Sequence, residues 1–170
     1  MSRTFSVQPI RQTLGWLWAL PLTAYALPLC LMAMLEKYIF KKKQANVSVI
    51  WSQCAMVIVV YSPWTKAVLL RHPMGAMQAA ALGCCILAQD EQALQRCWAH
   101  ERVHVAQAMR WGIIFPLAYI LAGMWAASRS EGYATERASG HATERANCYY
   151  LDNPFEREAE SASAQSVYLK

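Results

Sequence analysis

The stretch Trp98-Ala99-His100-Glu101-Arg102-Val103-His104-Val105-Ala106-Gln107 decides how the rest of the chain is read. Two histidines four positions apart on a helix stand one above the other, so both rings can grip one metal ion while the glutamate between them faces the water beside it. That reading requires a helix here, and the flanking residues supply its ends. Asp90 is placed to cap the N-terminus and Gly112 to stop the C-terminus. Between them Leu94, Cys97, Trp98, Val105 and Ala108 recur at the spacing of a buried stripe, with Arg96, Arg102 and Arg110 free to point elsewhere.

Glu101 and His104 fall on that same apolar stripe. Burying a carboxylate and an imidazole there without partners costs on the order of several kcal/mol, and a bound metal is one way to compensate both. The same five-residue pattern also recurs on solvated helix faces. A third ligand therefore has to decide it.

Composition points to a membrane. The chain is 56% hydrophobic and only 16% charged, with seven tryptophans and a net charge of +5. Its charge is divided, because seven of the eleven acidic residues follow Ala127 and eleven of the sixteen basic ones precede it. A basic, apolar, aromatic front suits anionic lipid, and with no ordered basic stripe or nucleic-acid motif a nucleic-acid partner is not expected. Six cysteines without C-x-x-C pairing, several inside apolar runs, read as buried thiols rather than a disulfide framework or thiolate metal site, and favour a reducing compartment.

Upstream of the motif, Thr13–Leu35 runs 23 residues without a charge. As a helix that run is about 34 Å long, enough to cross a bilayer, with Pro21 and Pro28 as kinks. It has no clear small-residue cleavage site, so a retained anchor is expected rather than a signal peptide. Lys37, Lys41, Lys42 and Lys43 follow it, marking that flank as cytoplasmic. Residues 1–45 are accordingly read as a membrane anchor with a basic juxtamembrane segment, and 46–170 as the metal-binding domain.

Val47–Pro63 suits either a short span or a buried strand. Ala67–Leu70 is expected to be a strand, Pro73-Met74-Gly75 a turn, and the Ala76–Ala88 region the strand that leads into the motif helix. Ile113–Ala127 is a third apolar run, short for a span and equally suited to a helix packed behind the metal helix.

Beyond Ser128 the chain changes character. Gly132–Ser139 is repeated at once as Gly140–Asn147, a duplicated octapeptide too short for a solenoid and read as a surface loop at 132–147. His141, Glu136 and Glu144 within it are possible ligands, although a solvated loop is the expected role. Asn153-Pro154 then has the order of an N-cap followed by a first helical residue, which puts Glu156 in the first turn of a new helix.

With Glu156 about fifty residues after the histidines, the sequence resembles the gluzincin metallopeptidases, in which HExxH is followed by a helix bearing a glutamate ligand. It is most similar to integral-membrane gluzincins of the heat-shock and CAAX-protease kind, with Glu156-Arg157-Glu158-Ala159-Glu160 where those carry E-x-x-A-D. The wording E-x-x-H-V-x-Q, the Trp-Gly after it and Asn-Pro-Phe-Glu-Arg-Glu-Ala also resemble a group of small bacterial membrane proteins. The resemblance implies His100, His104 and Glu156 as ligands of a zinc ion and Glu101 as general base, with Glu158 a rival for Glu156. It also implies Glu160, one turn on, as a hydrogen-bond partner of a ligand histidine; Asn153 is the other residue placed behind the ligands. Tyr149, Tyr150 and His141 are candidate donors to the substrate oxyanion.

The expected fold is mainly α with a small β element: a zincin-like pair of metal-binding helices and an N-terminal membrane helix. The expected function is a membrane-anchored zinc metallopeptidase that cleaves a peptide or protein near the bilayer by Glu-assisted attack of zinc-bound water. Two rivals differ in kind. One is a non-catalytic, zincin-like metal-binding subunit of a membrane complex; the other keeps the zinc chemistry for a non-peptide amide or ester. The resemblance and the lysine cluster together imply the bacterial inner membrane, with the metal site on the cytoplasmic side.

Overall fold

A computed structural model describes residues 8–51, 56–72, 75–130 and 150–167. The duplicated octapeptide, with His141, Glu136 and Glu144, lies outside the described residues, as do Tyr149 and Pro73-Met74. The protein is mainly helical with one small mixed sheet, as expected, and falls into two compact units, Met1–Ile113 and Ile114–Lys170.

The first unit begins with α1 (Gln8–Ala24) and α2 (Leu27–Tyr38). These are the two halves of the long uncharged run, and they meet at a bend of 72°. Pro28 explains the break: it has no N–H to bond back, its ring clashes with the carbonyl four residues earlier, and it disfavours helical backbone at Leu27. The chain turns there through tight bonds from Tyr25 N to Leu22 O (3.2 Å) and Ala26 N to Thr23 O (2.9 Å). Each half buries one stripe, Ala19, Leu22 and Thr23 on α1 and Cys30, Ala33 and Glu36 on α2. The run is thus not one straight helix.

The Val47–Pro63 run forms two strands, β1 (Asn46–Trp51) and β2 (Met56–Tyr61), paired antiparallel with Val47 opposite Val60. Ala67–Leu70, expected as a strand, belongs instead to helix α3 (Pro63–Leu70). Ser62 accounts for the difference, because its hydroxyl accepts from Thr65 N at 3.1 Å and Pro63 takes the first helical position. The expected strand before the motif helix is a hairpin, β3 (Ala79–Leu82) and β4 (Cys85–Ala88).

The sheet order is β1-β2-β4-β3, with β2 and β4 parallel and the other pairs antiparallel. Cys85 and Leu87 of β4 join Cys30 and Ala33 of α2, Ala26 just before it, Val60 and Leu69 in one apolar core. Ile86 and Ala88 point to the opposite face and are fully buried too, so β4 is covered on both sides.

Two glycines fix how α1 docks. Gly83 turns the β3–β4 hairpin at φ +62°, and a Cβ on it would lie 2.4 Å from Thr23 Oγ1. That hydroxyl accepts from Cys84 N at 2.9 Å and donates to Ala19 O at 3.0 Å, tying the end of α1 to the turn. At the other end of the interface α1 packs on α4 (Glu91–Trp111), the motif helix, where Gly112 stands at φ +57° and a Cβ would fall 2.1 Å from Trp18 Nε1.

The second unit holds α5 (Phe115–Ser130) and α6 (Pro154–Val167). Phe115 meets Phe155 edge to face at 5.4 Å between ring centroids, and Tyr119 stacks on Phe155 at 6.2 Å. Leu117, Leu121, Met124 and Trp125 of α5 are exposed. By length and composition alone, the helical stretch Glu91–Arg129 is apolar enough to cross a membrane, and only 22% of its most apolar window is buried.

Candidate metal centre

The motif helix is formed as its sequence implies. Asp90 accepts from Ala93 N at 2.8 Å, Gly112 closes the last turn onto Ala108 O, and Glu101, His104, Val105, Gln107 and Ala108 are buried along one side. The arginines leave that side: Arg96 bonds Gln78 Oε1 at 3.1 Å, and the Arg102 guanidinium lies over the Trp98 ring at 5.9 Å.

The two histidine rings lie 4.7 Å apart at 76°, with their Nε2 atoms 3.0 Å from each other. Two imidazoles on one tetrahedral ion, at about 2.0–2.1 Å each, hold their nitrogens about 3.3 Å apart, so the pair is close to the spacing one ion demands. His104 is oriented from behind. Its Nδ1 meets Gln107 Oε1 at 2.8 Å; with the amide oxygen as acceptor, Nδ1 carries the proton and Nε2 presents its lone pair forward. Gln107 is completely buried. It was not among the expected site residues, although its place three positions after His104 on the same face was open to reading.

In the second unit, Glu156 sits in the first turn of α6 and is 2% exposed. Tyr119 Oη donates to Glu156 Oε1 at 2.6 Å. Asn153 does two jobs: its Oδ1 accepts from Phe155 N at 3.1 Å, capping α6 as its sequence implies, and its Nδ2 donates to Tyr119 O at 3.2 Å. Tyr119 and Glu156 are thereby held by one another and by the same cap. Tyr119 was not expected from sequence, where it is one aromatic residue in an apolar run.

One ligand atom from each of His100, His104 and Glu156 lies within 4.8 Å of the other two, and this group could hold a metal ion. Two imidazole nitrogens and a carboxylate oxygen suit zinc and its first-row neighbours. Of the two rival glutamates, Glu156 joins the group while Glu158 is exposed. Glu160 is exposed as well, and among the described residues no hydrogen bond of its side chain is found. The buried line of α6 runs from Glu156 to Ala159, which turns position 160 outward; Gln107 and Tyr119 stand behind the candidate ligands in its place. Tyr150, a candidate oxyanion donor, is 42% exposed.

Comparison with protein-family models, curated proteins and solved structures returned no match for the chain.

Proposed function

We propose that the chain is a membrane-held zinc metallopeptidase of gluzincin type, with His100, His104 and Glu156 as the metal ligands and Glu101 as the general base. The observation that carries the reading is the grouping of those three ligand atoms, with Glu101 buried on the same side of the motif helix as His104. A zinc ion in this place supplies Lewis acidity, which lowers the pKa of a neighbouring water towards about 7 and offsets charge developing on a carbonyl oxygen.

The chain's own residues do the rest. Glu101 takes a proton from the attacking water as the new C–O bond forms, and returns it to the amine as the C–N bond breaks. Gln107 keeps His104 in one tautomer and one orientation. Tyr119 fixes the Glu156 carboxylate through Oε1. The substrate is a peptide or protein segment near a bacterial inner membrane, and the lysines after α2 favour the cytoplasmic face.

The test is bound metal, measured on purified full-length protein, followed by comparison of wild type with Glu101→Gln on a peptide library. Equal zinc in both forms with cleavage lost in the variant supports the peptidase. Zinc in both forms with cleavage in neither favours a metal-holding subunit of a membrane complex. Cleavage of non-peptide amides or esters alone would move the activity to that substrate class.

A further inference from the structure

Helix α2 has two apolar faces, and the fold uses only one. Cys30 and Ala33, with Ala26 just before the helix, enter the core against the sheet. On the other side Leu27, Leu31, Met34 and Tyr38, spaced four, three and four residues apart, form a continuous stripe 44–66% exposed. The helix has no charge before Glu36, and its exposed stripe runs on into Ile39 and Phe40, both 65% exposed. Three exposed lysines follow at once. Lys42 pairs with the buried Glu36 at 3.3 Å, leaving Lys41 and Lys43 as net positive charge at the helix end.

A two-residue aromatic and aliphatic knuckle followed by lysines is the chemistry of a surface with an apolar interior and an anionic rim. The packing also fixes how deep such a helix can go. α2 rests on β1, an edge strand whose outward backbone groups need water. An open sheet edge is not tolerated in hydrocarbon, so α2 cannot pass through the bilayer with lipid all round it.

We propose that α2 is an interfacial helix seated in one leaflet of an anionic bilayer, with Leu27, Leu31 and Met34 in the acyl region and Lys41 and Lys43 on lipid phosphates. This deepens the reading of a membrane-held protein, replacing a transbilayer anchor by an in-plane one, and it is independent of whether the metal centre turns over. Because α1 is tied to the β3–β4 turn through Thr23 and packs on the motif helix, it also places both ends of the α1–α2 pair on the same side of the membrane.

The experiment is flotation of the full-length protein, freed of detergent, with vesicles of phosphatidylcholine alone or mixed with phosphatidylglycerol. Wild type should float with the mixed vesicles. Leu31→Glu combined with Met34→Glu should weaken binding about a hundredfold, since two apolar side chains leave the acyl region. Lys41→Gln and Lys43→Gln should each weaken binding to mixed vesicles about fivefold and leave binding to phosphatidylcholine unchanged. Far-ultraviolet circular dichroism identical to wild type certifies the fold of each variant, and bound zinc, measured in parallel, reports separately on the metal centre.

Flotation of the Leu31/Met34 variant equal to wild type would overturn the proposal. So would a lipid-free wild-type dimer that the same variant converts to monomer, because a second copy would then be what covers the stripe. Reporter cysteines at Gln12 and Gln44, with Cys54, Cys148 and the partly exposed Cys97 replaced by serine, complete the test in sealed membranes. Labelling of both from one side supports the in-plane helix; labelling from opposite sides restores a transbilayer anchor and ends the proposal.

Discussion

The Tyr119 hydroxyl donates to Glu156 Oε1 at 2.6 Å, across 37 positions of sequence. The contact joins a residue of the apolar helix α5 to the first turn of α6, and leaves Oε2 as the carboxylate's other oxygen. A hydroxyl bonded to one oxygen of a ligating carboxylate selects which oxygen faces the metal and in what direction.

Tyr119→Phe should therefore weaken metal binding about 10–100-fold while leaving the helices in place. Competition with a chromogenic chelator measures it. The same substitution leaves Oε1 of a buried carboxylate short of a donor, so a fall in stability of about 1–3 kcal/mol should appear in denaturant unfolding of the metal-free protein. Unchanged affinity would remove Tyr119 from the centre.

Gln107 should behave as the counterpart on the motif helix. Gln107→Leu keeps the volume and the burial but removes the acceptor that holds His104 Nδ1 at 2.8 Å. Metal affinity should fall about 10–100-fold, whereas His104→Ala should abolish stoichiometric binding. Direct metal analysis after dialysis separates the two, and equal content in all three proteins would mean that the His-Glu-x-x-His string is a buried helix segment without an ion.

How much of this was legible in the sequence depends on whether the signal was local. Asp90, Gly112 and the Asn153-Pro154 pair marked helix ends because capping is settled within a turn, and each cap lies where its residue type puts it. The motif histidines were legible as residue types at a spacing, whereas Glu156 was legible only through the resemblance, with Glu158 as its rival. Ala67–Leu70 misled because four apolar residues have no period of their own, and the deciding signal was the Ser62-Pro63 cap upstream. The bend before Pro28 and the hairpin hidden in Ala76–Ala88 needed tertiary partners to be placed: Thr23, 61 positions from Cys84, joins them. Tyr119 is a purely tertiary finding. Nothing in a run of Leu, Ala, Ile and Tyr says which side chain will meet a carboxylate.

Cys84 gives a pH-dependent expectation. Burial pushes its thiol up to about 11, against a small opposing effect of the Thr23 hydroxyl. The folded state thus prefers the protonated thiol, so its contribution to stability is complete below the ordinary thiol value and is lost as pH rises from there through about 11. Stability of wild type should decline over that alkaline window more steeply than that of Cys84→Ser, and native Cys84 should resist maleimide near neutral pH while labelling freely in denaturant. Parallel pH curves for the two proteins would refute the burial argument.

Gly112 and Trp18 should be energetically coupled. Gly112→Ala strains a backbone at φ +57° and drives a methyl group into the Trp18 ring, where the Cβ would sit 2.1 Å from Nε1. The backbone part alone costs about 1–3 kcal/mol, because a ψ of −138° lies outside the left-handed helical well, and the overlap adds about 1–3 kcal/mol if the ring must shift. In a Trp18→Ala background only the first part remains. A double-mutant cycle in urea should therefore return a coupling of more than about 1 kcal/mol; additive effects would mean that the ring can move away without cost.

Asn153 separates capping from site support. Asn153→Ala removes both its bonds and should cost about 1–2 kcal/mol from the cap alone, together with weaker metal binding because Glu156 lies in the turn that the cap organises. Asn153→Asp keeps an oxygen for Phe155 N and adds a negative charge at the α6 N-terminus, which favours the helix. It lacks the Nδ2 that donates to Tyr119 O at 3.2 Å, and the new carboxylate oxygen would face that carbonyl instead. Helix content should then be retained while metal affinity falls, because α5 loses the bond that sets Tyr119 against Glu156. If the aspartate variant binds metal as tightly as wild type, Asn153 serves only as a cap, and its bond to Tyr119 O is not what sets that side chain against Glu156.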